Sequence, residues 1–368
     1  MSSSSLVLYG FNSGSVRLLA IASMFIRGKS RYMSYGNIKI AMLGYTGTGK
    51  TCYMISMYAF MKLGINGFNF SEKDLDRDLE LTEMWEALID DRKWPDPNPS
   101  NVKKYTFDFN YAFQPIMSFE WLDYRGGALS DTSSEKDVQE LTRQVKQSDC
   151  LFICISAEDL QLTSKMKRAR AIKADRMNVL IKEIGEVLKP KANQPFPVVF
   201  VITKFDLYPN PDDSESVIEA IKEIFSTFWD SPGWIVSICP VSLGKELGEN
   251  FAEGEIEPVN VHIPVAFAIY CKLYKQKIEQ KIHQQQLKQE ETELNNKLRN
   301  LKNRNVLVRI WKGGEIDSTA YKIEKRREEI EEASKGLDEI TQKLNLLSRE
   351  MIQSCFIYLN GQEGGFDV

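Results

Sequence analysis

Acidic side chains are missing from the start of this sequence: Met1 to Phe70 contains neither Asp nor Glu. Histidine is almost as scarce, since His262 and His283 are the only two in 368 residues. That scarcity leaves little for histidine-based proton transfer or metal ligation. Six cysteines stand at 52, 150, 154, 239, 271 and 355 without one CxxC pair. Two of them fall in the apolar run CLFICIS, which reads as buried thiol in a reducing compartment rather than as a zinc site. No run approaches the roughly 18 apolar residues of a membrane span, so no transmembrane helix is expected. A formal net charge of −4 lacks the basic excess of a nucleic-acid binder, and no nucleic-acid partner is expected. What remains is ordinary for a chain folding in the cytoplasm: 43% hydrophobic and 27% charged residues, enough for a large core.

The acid-free start is rich in Ser and carries Arg17, Arg27, Lys29 and Arg31. Within it, VRLLAIASMFIR has the pattern of a short amphipathic anchor or of a transit peptide. We expect residues 1–36 to be a disordered leader or an over-extended start, because Met33 opens MSYGNIKIAML directly before the first strand. Beyond it, apolar strand-like runs alternate with helical stretches, the mark of a parallel sheet with crossover helices. NIKIAML reads as the first strand, and KYTFDFN and MSFEWLD as a hairpin around YAFQPI. CLFICIS, PVVFVITK and WIVSICPVS are continuous apolar runs, as strands buried on both faces require. Helices are expected at Thr51–Lys62, Glu135–Gln147, Thr163–Leu188 and Glu215–Phe228, with an acidic helix and a Pro-rich loop inserted at 72–100.

From about Ile263 the character changes to long helix. VAFAIYCKLYKQKI runs without Gly or Pro into HQQQLKQEETELNNKLRNLKN. The following VLVRIWKGGEIDS reads as β-prone residues around a KGGE turn, with a second helix from near Ala320. Ile330, Ala333, Leu337, Ile340, Leu344, Leu347 and Met351 step by three and four, a heptad seam. Residues 276–368 are therefore expected to be a coiled-coil helical hairpin and tail, sealed on itself or against a protein partner or second copy.

Chemistry enters at GYTGTGKT, Gly44 to Thr51, which has the complete G-x-x-x-x-G-K-[ST] spacing between a strand and a helix. Gly47 and Gly49 allow backbone N–H groups to turn inward on phosphate oxygens, and the following helix adds its positive end. Gly44, Thr46, Thr48 and Cys52 complete the cradle, Lys50 would reach the β- and γ-phosphates, and the Thr51 hydroxyl would ligate Mg²⁺. Further on, FEWLDYRGG places Asp123 at a strand end, where it would hold Mg²⁺ through water. Gly126 would bring its N–H to the γ-phosphate, so Lys50, Thr51, Asp123 and Gly126 form the expected catalytic set. Thr203, Lys204 and Asp206 in TKFD select the base: the Asp206 carboxylate would accept from the N1–H and 2-amino group of guanine. Adenine has neither donor and would leave the acid unpaired. Ser242 and Leu243 in CPVSLG would meet the guanine oxygen.

The ordered set GYTGTGKT, DYRG, TKFD and PVSLG resembles the Ras-like GTPases of the translation-factor-related (TRAFAC) P-loop class over about residues 37–275. The resemblance implies an α/β G domain with a mostly parallel six-stranded sheet flanked by helices, binding of GTP/GDP with Mg²⁺, and switch loops that reorder on hydrolysis. WPDPNPS together with DYRGG is also similar to bacterial stand-alone and double-GTPase proteins.

The chain departs from that pattern where a glutamine would orient the attacking water: Gly127 stands there, so turnover is expected at about 10⁻² s⁻¹ or below. Arg125 is expected to be a salt-bridge partner, and Ser100 is the candidate switch hydroxyl for Mg²⁺, with Thr106 behind it. The basic run Lys165 to Arg176 is expected to be a solvated face complementary to the acidic insertion. The leading expectation is a slow GTPase switch with its output in the helical hairpin. Its rivals are a GTP-stabilised assembly protein with little turnover and an ATP-dependent P-loop enzyme, against which TKFD argues.

Overall fold

A computed structural model describes residues 36–95, 103–112, 114–123, 142–143, 145–188, 190, 194–208, 214–245, 247, 253–352 and 354–365 of the chain. The expectations for residues 1–36 up to Tyr35, for Glu135–Gln147 before Thr142, and for Ser100, Arg125, Gly126 and Gly127 fall outside the described residues.

The described residues form eleven strands and eight helices of six residues or more. In chain order they are β1 (Asn37–Leu43), α1 (Lys50–Leu63), β2 (Phe68–Glu72), α2 (Leu75–Ile89), β3 (Lys103–Tyr111), β4 (Gln114–Asp123) and β5 (Cys150–Ser156). Then come α3 (Lys165–Ile172), α4 (Ala174–Leu188), β6 (Phe196–Thr203), α5 (Ser214–Ile224), β7 (Trp234–Pro240), β8 (Ser242–Lys245) and β9 (Glu255–Val259). The chain continues with α6 (Ile263–Lys302), α7 (Val306–Trp311), α8 (Gly313–Met351), β10 (Phe356–Leu359) and β11 (Gln362–Gly364).

The main sheet runs β11-β10-β7-β6-β5-β1-β4-β3-β2. Its centre is parallel, β4 and β5 flanking β1 and then β6 and β7, while both margins are antiparallel. All seven residues of β5 are buried, as a strand covered on both faces requires. Alternation then divides the side chains between two cores. Ile38, Ile40, Met42, Cys150, Phe152 and Cys154 face α1 and the long helices. Ala41, Leu43, Leu151, Ile153 and Ile155 face α4 and α5.

The central α/β architecture is the one the sequence announces, but the sheet has nine strands where six were expected. The additions are β2 at one edge, paired with β3, and the β10–β11 hairpin at the other, paired with β7. Their short, mixed sequences FNFSE, FIYL and QEG carry no strong alternation, and the pairing comes from partners distant in the chain. The expected helix Thr163–Leu188 is interrupted at Lys173, whose left-handed φ of 55° closes α3 before α4 starts. The helix expected at Glu215–Phe228 stops at Ile224 and resumes as one turn, Thr227–Asp230.

The KGGE turn is not formed. α8 begins at Gly313, seven residues before Ala320, and the preceding VLVRIW is itself helical. Glu315 explains the start: it lies in the first turn, where the helix dipole favours acid, and bonds Lys312 at 2.8 Å and Lys297 of the facing arm at 3.1 Å. Pro264 in the first turn of α6 suits the start of the first arm in the same way.

α6 and α8 pack antiparallel along their length. Leu287, Leu301 and Ile323 are buried between the arms, and the pairs Arg326–Glu290 and Arg327–Glu291 link them at 2.7 Å. The seam deepens toward the sheet: Ile330, Ala333 and Leu337 are half-buried, whereas Ile340, Leu344, Leu347 and Met351 join the core beneath β1 and β5. The first residues of α6, from Ile263 to Leu273, sit in that same core. Both ends of the hairpin are thus built into the sheet, and β10 follows directly.

Candidate functional site

β1 ends at Leu43 and delivers the chain to Gly44, beside the ends of two parallel neighbours. A Cβ on Gly44 would stand 2.9 Å from the Cys154 carbonyl oxygen, so this exit requires glycine. Gly47 and Gly49 adopt φ of 89° and 80°, the left-handed region in which glycine carries no steric cost, and they wrap the loop back onto α1. Gly49 is the N-cap of α1 without any side-chain cap, and the first turn carries no acid. The leading N–H groups therefore remain for an external anion.

Lys50 is buried within the loop, its ammonium donating to the Gly44 and Tyr45 carbonyls at 2.7 Å each. Thr48 is buried and its hydroxyl donates to the Tyr45 carbonyl at 2.8 Å. Thr46 and Gly47 are exposed on the rim, and Thr51 is half-buried one turn in. Cys52 is half-buried, with burial pushing its thiol up to about 11, so it serves as an uncharged wall. The loop, its cation and the bare helix start together fit a polyphosphate.

Asp123 occupies the last position of β4, in register with Met42 of the adjacent parallel β1. The strand pairing therefore brings the Asp123 backbone to the same sheet edge as the loop. Thr51 and Asp123 are the residues that would hold Mg²⁺ there; Ser100 and Gly126 lie outside the described residues.

Thr203 closes β6, but its hydroxyl turns to the loop rather than outward. It is buried and lies 2.7 Å from the Thr48 carbonyl and 3.2 Å from the Ile155 carbonyl. Cys154 reaches the same Thr48 oxygen at 3.2 Å. Thr203 is thus a support for the phosphate loop. Lys204 takes a left-handed φ of 53° and its ammonium meets Glu158 at 2.7 Å. That ammonium holds the Glu158 carboxyl below its ordinary range. Asp206 follows in a single 3₁₀ turn, Phe205–Leu207, half-buried, with Ser242 donating to its Oδ1 at 2.8 Å. Ser242 Oγ also accepts from the Gly244 N–H at 3.0 Å, and Leu243 is half-buried beside it. The remaining carboxylate lone pairs can take the two donors of a guanine edge.

Gly244 has a packing reason: a Cβ there would lie 1.8 Å from the Glu255 carbonyl of β9. Ser242 pairs in register with Val259, three residues before His262 caps the long helix α6. His262 stacks on Phe60 of α1 with ring centroids 4.8 Å apart. Burial pulls this imidazole down to about 4.

Three participants escape a reading of the sequence alone. Cys154 and Glu158 flank the end of β5, and the carboxyl ends of parallel strands are where α/β sheets bind ligands, so that position was the available signal. Lys173 sits 5.0 Å over the Tyr45 ring of the loop, within a basic run that is largely exposed, as expected. That run does not face the acidic insertion. Arg168 instead bonds Glu223 of α5 at 2.6 Å, and Asp78 of α2 is held by Tyr58 and Lys62 of α1 at 2.5 and 2.7 Å.

Among solved structures, a crystal structure of the bacterial selenocysteine-specific elongation factor EF-Sec is similar at 14% identity and a TM-score of 0.29, over 56% of this chain. The match spans 25% of that factor's own length. No curated protein matches the sequence. The family profile Double-GTPase 2 matches residues 38–232, more than half of the chain, from Ile38 in β1 to beyond the Asp206 turn. With the phosphate loop, the Asp123 strand end and the TKFD turn all inside that match, the chain belongs to the Double-GTPase 2 family.

Proposed function

We propose that the protein binds GTP with Mg²⁺, hydrolyses it slowly, and transmits its nucleotide state to the α6–α8 hairpin as output. The observation that carries the last step is Ser242: it bonds the base-selecting Asp206 on one side and pairs with β9, the strand leading into α6, on the other. A second route runs from the loop helix, through the stack of Phe60 on His262. Base and phosphates thus both bear on the root of one lever.

In this reading the Lys50 ammonium leaves the Gly44 and Tyr45 carbonyls for phosphate oxygens, and the α1 N-terminus binds the rest of the chain of phosphates. Thr51 and Asp123 would hold Mg²⁺, which neutralises charge developing on the transferred phosphoryl group. Asp206 orients the base. Gly127 supplies no side chain to order water, which makes unaided turnover slow and dependent on a partner or a second copy.

The same Gly127 favours a second reading, in which GTP is retained as a structural ligand of an assembly. Mass analysis of nucleotide released from purified protein, together with turnover measured across protein concentration, tests both. Bound guanine nucleotide with slow turnover supports the switch, and guanine nucleotide without turnover at any concentration supports the assembly. Bound adenine nucleotide would overturn both. For the lever, joining Leu287 to Ile330 by a short turn removes the distal hairpin and keeps its buried root. Nucleotide binding is expected to survive while partner- or copy-dependent stimulation is lost.

A further inference from the structure

The hairpin ends in a cluster of exposed apolar side chains. α7 exposes Val306, Leu307, Ile310 and Trp311, with Leu307 82% and Trp311 84% accessible. Spaced i, i+1, i+4 and i+5, these four share one face of the short helix. They sit at the far end of a 40-residue arm, about 60 Å long at 1.5 Å per residue, whose other end is buried under the sheet. A soluble surface gains nothing from four large apolar side chains gathered at its most distal point.

The charge around them is one-sided. Between Glu293 and Glu315 the sequence carries Lys297, Arg299, Lys302, Arg304, Arg309 and Lys312 and no acid, in a chain whose net charge is −4. Glu315, the nearest acid, is already held by Lys297 and Lys312. Arg299, Lys302 and Arg304 are exposed beside the apolar face.

We propose that this tip docks on an anionic lipid surface, with Leu307, Ile310 and Trp311 in the headgroup boundary and the flanking cations on lipid phosphates and carboxylates. Trp prefers that boundary, and short amphipathic elements enter it with their apolar face down while basic residues reach the headgroups. Two turns of helix bind weakly alone, so the cations set the affinity and the attachment is reversible. A second copy is a poorer occupant, because joining two such tips places like charges together. The inference needs only the hairpin and holds whether or not nucleotide moves it.

Co-sedimentation of the full chain with vesicles tests it, using phosphatidylcholine alone or with about 30% phosphatidylserine, at low and high salt. Binding to the anionic vesicles, weakened by salt, is expected. Lys302→Glu with Arg304→Glu should lower it by about fivefold for each charge removed, or more. Leu307→Ser with Trp311→Ser should lower it by about tenfold or more. Both pairs are solvent-exposed, and unchanged thermal melting shows that folding is intact. Equal binding to neutral vesicles, or wild-type binding by both variants, would overturn the proposal. So would a change in solution mass on Leu307→Ser with Trp311→Ser without any change in vesicle binding, which would assign the tip to contact between copies.

Discussion

The Thr203 hydroxyl donates a 2.7 Å hydrogen bond to the Thr48 carbonyl, tying the end of β6 to a phosphate loop 155 residues away. Thr203→Val removes that donor and leaves the buried oxygen with only the weak Cys154 thiol. The loss is worth about 1 kcal/mol, or about fivefold in nucleotide affinity. Titration with a fluorescent guanine nucleotide checks it, and Thr203→Ser should bind as the parent does. Equal affinity in Thr203→Val would show that the loop holds its shape without this strand.

In the proposed reading, base choice rests on Asp206. In Asp206→Asn the side-chain amide turns a donor toward the donors of guanine, so GTP should weaken by at least about tenfold and xanthosine triphosphate should gain. Competition between the two nucleotides measures the exchange. Unchanged GTP affinity would remove Asp206 from the base site.

His262 makes stability depend on pH in a stated direction. Burial pulls its pKa from 6.5 to about 4, so between those values the unfolded chain binds the proton and the native one does not. Stability is complete above about pH 6.5 and falls as pH drops toward 4, by at most about 3 kcal/mol. The Glu350 carboxylate, 3.9 Å from Nε2, reduces that penalty once the ring is charged. His262→Phe retains the stack on Phe60 and should flatten the slope of melting temperature over this window. An equal slope in both proteins would place the titration elsewhere.

Ile340 and Met351 are fully buried beneath the sheet although they belong to the hairpin's second arm. Replacing either by Ala should cost about 2–5 kcal/mol of stability in denaturant titration. Val306→Ala at the exposed tip should change stability by less than about 0.5 kcal/mol. Similar small effects at all three would mean that the arm is a separate body.

What could be read in the chain beforehand follows from how local each signal is. CLFICIS, PVVFVITK and WIVSICPVS declare themselves because strands buried on both faces are continuously apolar. GYTGTGKT and TKFD stand out because, in the proposed reading, a phosphate and a base impose fixed residue types on short turns. β2, β10 and β11 were silent: each is three to five residues long and owes its state to a partner strand. Lys173 and Glu158 are ordinary surface residues in sequence, and only the sheet brings them to Tyr45 and Lys204. The KGGE segment misled because its two glycines are weak helix formers, yet capture of Glu315 by two lysines favours the helix.

The return of the second arm to the sheet also dictates an order of events at birth. Ile340 to Met351 and the strand β10 complete the core that β1 and α1 begin. Everything from β1 through α6 must therefore leave the ribosome with one side of its sheet only partly covered, by α1 and the start of α6. At about 5–20 residues per second, the stretch from Ile263 to Leu359 takes on the order of ten seconds to make. For that time the part of this core that Ile340 to Met351 fill is open to chaperones and to neighbouring nascent chains. Closure joins segments far apart in sequence, so the last stage of folding is expected to be slow.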